Sequence, residues 1–143
     1  MQDSLLFTFP VRVYYEDTDT ANVVYHANYF KYSERARTEM LRDLGIEQET
    51  LRQLSGIVFV VRRCEADFLQ PARLDDSLIV TTTIDSITGA SILFYQEINK
   101  SAIILAKLRT QVACVDKQGR VQRLPPLVRV RMAPLSYRCK PFV

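Results

Sequence analysis

An alternation of apolar and polar side chains marks the start of the chain. It covers residues 11–16, where Val11, Val13 and Tyr15 fall on one side. A period of two residues is typical of a strand with one buried face. The next six residues, Asp-Thr-Asp-Thr-Ala-Asn at 17–22, are polar and turn-prone. The pattern therefore predicts a strand that runs into a tight acidic turn.

Beyond the turn the period lengthens to three or four residues. This spacing predicts a helix of roughly 16 residues. Asn28 is its predicted N-cap, and Gly45 lies just past its C-terminal end. The residues that share its apolar face are Tyr29, Tyr32, Ala36, Met40 and Leu44.

The rest of the chain predicts one short helix and then strands joined by tight turns. The helix covers 47–54 and ends before Gly56. The predicted strands cover 57–68, 78–87, 91–98 and 103–116, with a short one from Val121. One long helix followed by four or five strands indicates an α+β fold with an antiparallel sheet on the helix. Edge strands of such a sheet must be covered or paired, and dimerisation is one solution.

The composition is that of a single soluble domain. The 143 residues are 48% apolar and 24% charged. No apolar run approaches the roughly 18 residues of a membrane span, and the N-terminus lacks the basic region of a signal peptide. Three widely spaced cysteines favour a reducing compartment. Together these features predict a cytoplasmic protein.

The charge is unevenly distributed. Residues 1–116 carry 12 Lys/Arg and 16 Asp/Glu, whereas residues 117–143 carry 7 Lys/Arg and no acid. Val128, Val130 and Met132 alternate with Arg129 and Arg131, which predicts an edge strand with a basic outer face. An anionic partner suits such a face, and a solvated tail is the alternative. Nucleic acid is disfavoured, because few aromatic residues are available to stack on bases.

Several kinds of site are excluded by what the sequence lacks. The single histidine rules out a zinc site built from several histidines, and no cysteine pair has ligand spacing. There is no G-x-S-x-G elbow, and the four glycines are too dispersed for a nucleotide-binding loop. We therefore expect neither a metal nor a cofactor.

The acidic turn and the helix that follows carry the candidate chemistry. Asp19 lies just ahead of the helix, and His26 lies near its first turn. A helix N-terminus offers unpaired N–H groups and partial positive charge, which suit a developing oxyanion. A carboxylate beside it can act as a base or a nucleophile. The alternative is a solvated turn in which Glu16, Asp17 and Asp19 have no catalytic role.

Five short motifs link the chain to a known family. They are YYEDTD at 14–19, VVYHANY at 23–29, ERARTE at 34–39, FVVR at 59–62 and PARLDD at 71–76. Together they resemble the hotdog-fold acyl-CoA thioesterases, in particular the Tol-Pal-associated branch related to 4-hydroxybenzoyl-CoA thioesterase. The resemblance implies a long central helix wrapped by a five- to six-stranded antiparallel sheet, in a homodimer or homotetramer. The domain would cover residues 1–134, followed by a basic tail at 135–143.

The resemblance also implies an activity, the hydrolysis of acyl-CoA to a free acid and CoA. An acyl carrier protein is a further possible carrier. Asp19 would be the catalytic carboxylate, with Tyr15 and His26 beside it and the His26 N–H polarising the thioester carbonyl. The acyl chain would lie against the helix near Tyr29 and Tyr32. The turn before the fourth strand, where related enzymes often have basic residues, carries no charge in this chain, so Arg62 and Arg63, or the C-terminal arginines, would have to bind the CoA phosphates instead.

One departure from the family pattern lies inside the turn. The family usually has Gly-Gly before Val-Val, whereas this chain has Ala21 and Asn22. Asn tolerates a left-handed backbone, so we predict a positive φ at Asn22. Two other functions fit the fold, a non-catalytic module that binds acyl-CoA or acyl carrier protein and a dehydratase. The retained carboxylate disfavours the first, and no second dehydratase motif supports the other. A structural role for His26 or Tyr15 also stays open.

Overall fold

Strands and helices follow one another in the order that the sequence predicts for its first 115 residues. The computed structural model describes residues 6–139. Its helices are α1 (Ala27–Asp43), α2 (Gln48–Ser55) and α3 (Pro126–Met132). Its strands are β1 (Phe7–Arg12), β2 (Val58–Phe68), β3 (Ser77–Ile87), β4 (Ser91–Lys100), β5 (Ile103–Val115) and β6 (Ser136–Cys139).

The strands form one six-stranded sheet around α1. Its order is β1-β3-β4-β5-β2, with neighbours antiparallel, and β6 pairs with β3 in parallel. The buried side of β5 follows the predicted alternation, since Ala106, Leu108, Thr110, Val112 and Cys114 are all buried. The α+β hotdog fold is thus confirmed. None of the helices in the described part of the chain is long and apolar enough to cross a membrane.

The apolar face of α1 forms the centre of the core. Tyr29 and Tyr32 pack in one half of it with Val13 and residues of β3. Met40 lies in the other half, where α3 closes the core with Val128. Burial of these side chains removes apolar surface from water, which is the main force holding helix and sheet together.

Two predicted boundaries near the N-terminus are wrong. The first strand ends at Arg12 instead of residue 16, and Tyr15 begins a 3-10 turn, Tyr15–Asp17. There the Tyr14 N–H donates to the Asp17 Oδ2 atom at 2.8 Å, a local bond that replaces strand pairing. The N-cap of α1 is His26 instead of Asn28. The predicted end of α1 is confirmed, because Gly45 follows it with a φ of +78°.

The basic C-terminal region differs most from its prediction. Residues 128–132 lie in α3 instead of an edge strand, and Val128 and Met132 are buried four positions apart. The guanidinium of Arg131 donates to the Leu44 carbonyl at 2.6 Å, and that of Arg129 donates to the Thr88 carbonyl at 3.0 Å. Residues 136–139 pair with β3, so part of the predicted tail belongs to the sheet. Lys140 lies outside the described residues.

Among the described residues the sheet has two edges, one formed by β2 and the other by β1 and β6. Strand β2 pairs with β5 on one side, and within residues 6–139 no strand pairs with its other side. None of its 11 residues is buried, and the Val61 side chain is 54% exposed. An exposed apolar edge strand is a template for pairing with another chain.

Candidate active site

The acidic turn is a small hairpin. A β-bridge pairs Thr18 with Val24, and the Asp19 N–H donates to the Val23 carbonyl at 2.9 Å. Asn22 makes the corner with a φ of 62°, which confirms the predicted positive angle. The partly exposed Asp19 carboxylate accepts a hydrogen bond from the Ala21 N–H at 2.9 Å. The hairpin therefore fixes the direction of this carboxylate.

Hydrogen bonds tie this hairpin to the first turn of α1. The Asp17 carbonyl accepts one from the Tyr25 N–H at 2.9 Å and another from the Asn28 side-chain amide at 2.8 Å. Asn28 is buried, so its bond is shielded from water. The position of Asp19 relative to α1 is thus set through Asp17, two residues earlier in the chain.

His26 lies at the start of α1 and is exposed. In its first turn the Asn28 N–H donates to the Tyr25 carbonyl and the Tyr29 N–H donates to the His26 carbonyl. The His26 N–H has no acceptor among the residues that the structure describes. This donor is therefore available to a ligand at the positive end of the helix dipole.

A surface pocket of about 460 Å³ opens beside His26. Its floor includes the buried Tyr29, whose hydroxyl accepts a hydrogen bond from the Ala72 N–H at 3.0 Å. Burial raises the pKa of Tyr29, so its hydroxyl is protonated and this part of the pocket lining is uncharged. The Asp19 hairpin adjoins this pocket through Val24. The full lining is Val24, His26, Tyr29, Phe68, Leu69, Gln70 and Pro71.

The two remaining predicted tyrosines lie away from this pocket. Tyr15 is 84% exposed in the 3-10 turn, with its carbonyl bonded to Thr18. Tyr32 is buried in the core with its hydroxyl next to Asp17, and that hydroxyl has no hydrogen bond of normal geometry among the described residues. Burial, and then the Asp17 carboxylate, raise the pKa of Tyr32 well above its usual value. A substrate group at the pocket would meet Tyr29 and not Tyr32.

The predicted phosphate-binding arginines also lie outside the pocket lining. Arg63 is exposed and forms an ion pair with Glu65 at 2.6 Å. The pairing of β2 with β5 is irregular between Val61 and Arg63. Arg62 lies at this irregularity and is exposed as well. Both are accessible, but the structure does not bring either of them to His26.

Phe68 is a residue of this pocket that the sequence did not indicate as part of a site. Its ring lies 5.9 Å from the His26 ring and 5.6 Å from the Tyr29 ring, measured between centroids. The periodicity of β2 predicts an inward-facing residue at position 68, which is the only signal available. That the end of β2 meets the start of α1 is a property of the fold.

The comparisons with known proteins agree on one family. A model described as the thioesterase-like superfamily matches residues 13–134. The acyl-CoA thioesterase YbgC of Haemophilus influenzae is 49% identical over 110 residues, 77% of this chain and 81% of that protein. The acyl-CoA thioester hydrolase YbgC of Escherichia coli is 47% identical over 115 residues, 80% of this chain and 85% of that protein.

The solved structures agree with this result. A probable thioesterase from Bartonella henselae is 37% identical and superimposes with a TM-score of 0.80. The superposition covers 84% of this chain and 99% of that one. A hypothetical protein from Aquifex aeolicus, 28% identical, gives a TM-score of 0.84 over 88% of this chain and 98% of its own.

Proposed function

This chain belongs to the thioesterase-like superfamily, and we propose that it hydrolyses acyl-CoA thioesters to a free acid and CoA with Asp19 as the catalytic carboxylate. Thioester hydrolysis is the activity in the names of its curated relatives. The role of Asp19 is supported by the way the hairpin is bonded to the start of α1. One hairpin, tied to α1 by hydrogen bonds, holds this carboxylate next to a helix start whose His26 N–H has no protein acceptor in the described region.

The His26 N–H and the Asp19 carboxylate would have different roles in the reaction. The thioester oxygen would accept a hydrogen bond from the His26 N–H, which stabilises the negative charge that develops on it. Asp19 would take a proton from water as that water attacks the carbonyl carbon. When the tetrahedral intermediate collapses, the C–S bond breaks and the departing CoA thiolate takes up the proton. In the alternative route the Asp19 carboxylate attacks the carbonyl carbon, and the C–S bond breaks with release of the CoA thiolate. Water then cleaves the resulting anhydride to the free acid and the Asp19 carboxylate, and the proton it releases goes to the thiolate.

The neutral variant Asp19→Asn tests this role. We expect a folded protein whose kcat/KM for acyl-CoA falls by roughly 10²–10⁴, the range for a lost general base. Glu16→Gln is the matched control, because Glu16 is an exposed acid of the same turn. Near wild-type turnover in Asp19→Asn would remove Asp19 from the mechanism.

We also infer that a second copy of the chain completes the site. Three tyrosines that flank the turn in the sequence have exposed side chains, Tyr14, Tyr15 and Tyr25. Strand β2, whose last residue Phe68 contacts His26, has an open edge. Catalysis on a thioester benefits from the exclusion of bulk water, which one copy does not provide here. The homodimer and the homotetramer are the two assemblies that fit this inference.

A non-catalytic acyl-CoA or acyl-carrier module is the second candidate function. The bond from the Ala21 N–H to Asp19 favours it, because a purely structural turn would use the carboxylate in the same way. Binding of acyl-CoA without turnover by the wild type would establish this alternative. An acyl carrier protein as partner, phosphate binding by Arg62 and Arg63, the absence of a cofactor and the cytoplasmic location stay predictions.

A further inference from the structure

We propose that the pocket beside His26 is the acyl-binding subsite and that Phe68 is the residue that limits the size of the acyl group. This inference rests on the proposed function. A thioester whose oxygen accepts a hydrogen bond from the His26 N–H must direct its acyl group toward a neighbouring surface. The pocket adjoins that residue, and Val24, Phe68, Leu69 and Pro71 give it an apolar wall.

The ring of Phe68 is held in place from three sides. It contacts the His26 ring edge-on and the Tyr29 ring at a tilt, and the Phe30 ring lies 6.0 Å away on another side. Edge-to-face contacts of this kind favour one ring orientation. At the same time Phe68 is 45% exposed, so its ring borders the open pocket on one side and the core residue Tyr29 on another.

The backbone around the pocket is also fixed. After Phe68, the Leu69 N–H donates to the Leu105 carbonyl at 2.8 Å, which holds the chain against β5. Two lining residues are also bonded to Ala72, whose N–H donates to the Tyr29 hydroxyl and whose carbonyl accepts from the Val24 N–H at 2.8 Å. These bonds hold the backbone beside the pocket, so we expect a smaller side chain at position 68 to be the simplest way to admit a larger acyl group.

The test is an acyl-length profile of the full chain. Values of kcat/KM are measured for straight-chain acyl-CoAs from acetyl to palmitoyl and for benzoyl-CoA. In Phe68→Ala we expect the ratio of long-chain to short-chain kcat/KM to rise about tenfold or more, since a single methylene in an apolar pocket discriminates by 10–200-fold. Phe68→Leu should shift the same ratio by less. Leu74→Ala is the control, because Leu74 is 43% exposed and lies outside the pocket.

The profile separates a role in specificity from one in stability. A residue that only supports the fold would lower kcat/KM for every acyl length by one factor, so a Phe68→Ala profile parallel to that of the wild type overturns the proposal. Affinities for non-hydrolysable thioether analogues of the same lengths provide a second readout. If the wild type cleaves no thioester, the proposed function fails, and these affinities still decide the role of Phe68. If Phe68→Ala does not fold, the Phe68→Leu profile decides it.

Discussion

At the residue scale, one backbone angle shapes the turn that carries Asp19. Asn22 has a φ of 62°, and its N–H donates to the Asp19 carbonyl at 3.0 Å. A left-handed residue is needed for the chain to reverse between Thr18 and Val24. Asn adopts this conformation more readily than other residues with a Cβ, because its short polar side chain can form local hydrogen bonds. The turn thus keeps the shape expected of Gly without having one.

Substitution of Asn22 tests this account of the turn. Asn22→Gly should unfold at the same urea concentration as the wild type or slightly above it. Asn22→Val should lose on the order of 1–2 kcal/mol of unfolding free energy, because a β-branched residue is strained at positive φ. Its kcat should fall too, since Asp19 would be displaced. Equal stability of the Gly and Val variants would show that the angle carries no strain.

At the element scale, α3 stabilises the end of α1. The Arg131 guanidinium donates to the Leu44 carbonyl, at the end of the helix where the dipole is negative. It also packs against Gly45, where a Cβ would lie 2.0 Å from the Arg131 Nη1 atom. The basic face that the sequence assigns to an anionic partner therefore contributes in part to the fold itself.

Charge reversal at Arg131 distinguishes the two roles. Arg131→Glu places a carboxylate against a carbonyl and the negative helix end, so we expect a loss of about 1–3 kcal/mol in unfolding free energy with KM unchanged. Lys117→Glu is the control, because it makes the same change in net charge at another exposed site of the C-terminal region. A raised KM at unchanged stability would instead assign Arg131 to phosphate binding.

At the scale of the whole molecule, we predict that the open edge of β2 pairs with a second copy of the chain. A strand of 11 residues without a buried side chain is unusual for a sheet that forms a core on one face. Pairing of this edge with the same edge of a second copy would bury Val61 and satisfy the free backbone groups.

Sedimentation tests this assembly. We expect the wild type at micromolar concentration to sediment as a dimer or tetramer of the 16.5 kDa chain, with no active monomer. Val61→Asp should shift the equilibrium toward monomer and reduce activity in parallel, because a buried charge at an interface is costly. Ile79→Asp, at an exposed position of β3, should leave the assembly intact. A stable and active wild-type monomer would contradict the prediction.

The sequence by itself determined much of the local structure and the family of the chain. The periods of two and of three to four residues predicted α1 and strands β2 to β5, because alternation and helical spacing are properties of neighbouring residues. The positive φ at Asn22 followed from the resemblance, because the family has Gly at that position, and the end of α1 followed from the Gly at position 45. The motif around Asp19 and His26 indicated the family before any geometry was known.

Only the tertiary structure decided how distant segments meet. Val128, Val130 and Met132 alternate like a strand, yet α3 forms because Val128 and Met132, four residues apart, fill the core beside α1. Phe68 reaches His26 because β2 ends at the start of α1. Tyr32, predicted at the substrate, is buried instead. The physical reason is common to all of these: side-chain burial depends on which segments pack together, and local patterns do not contain that information.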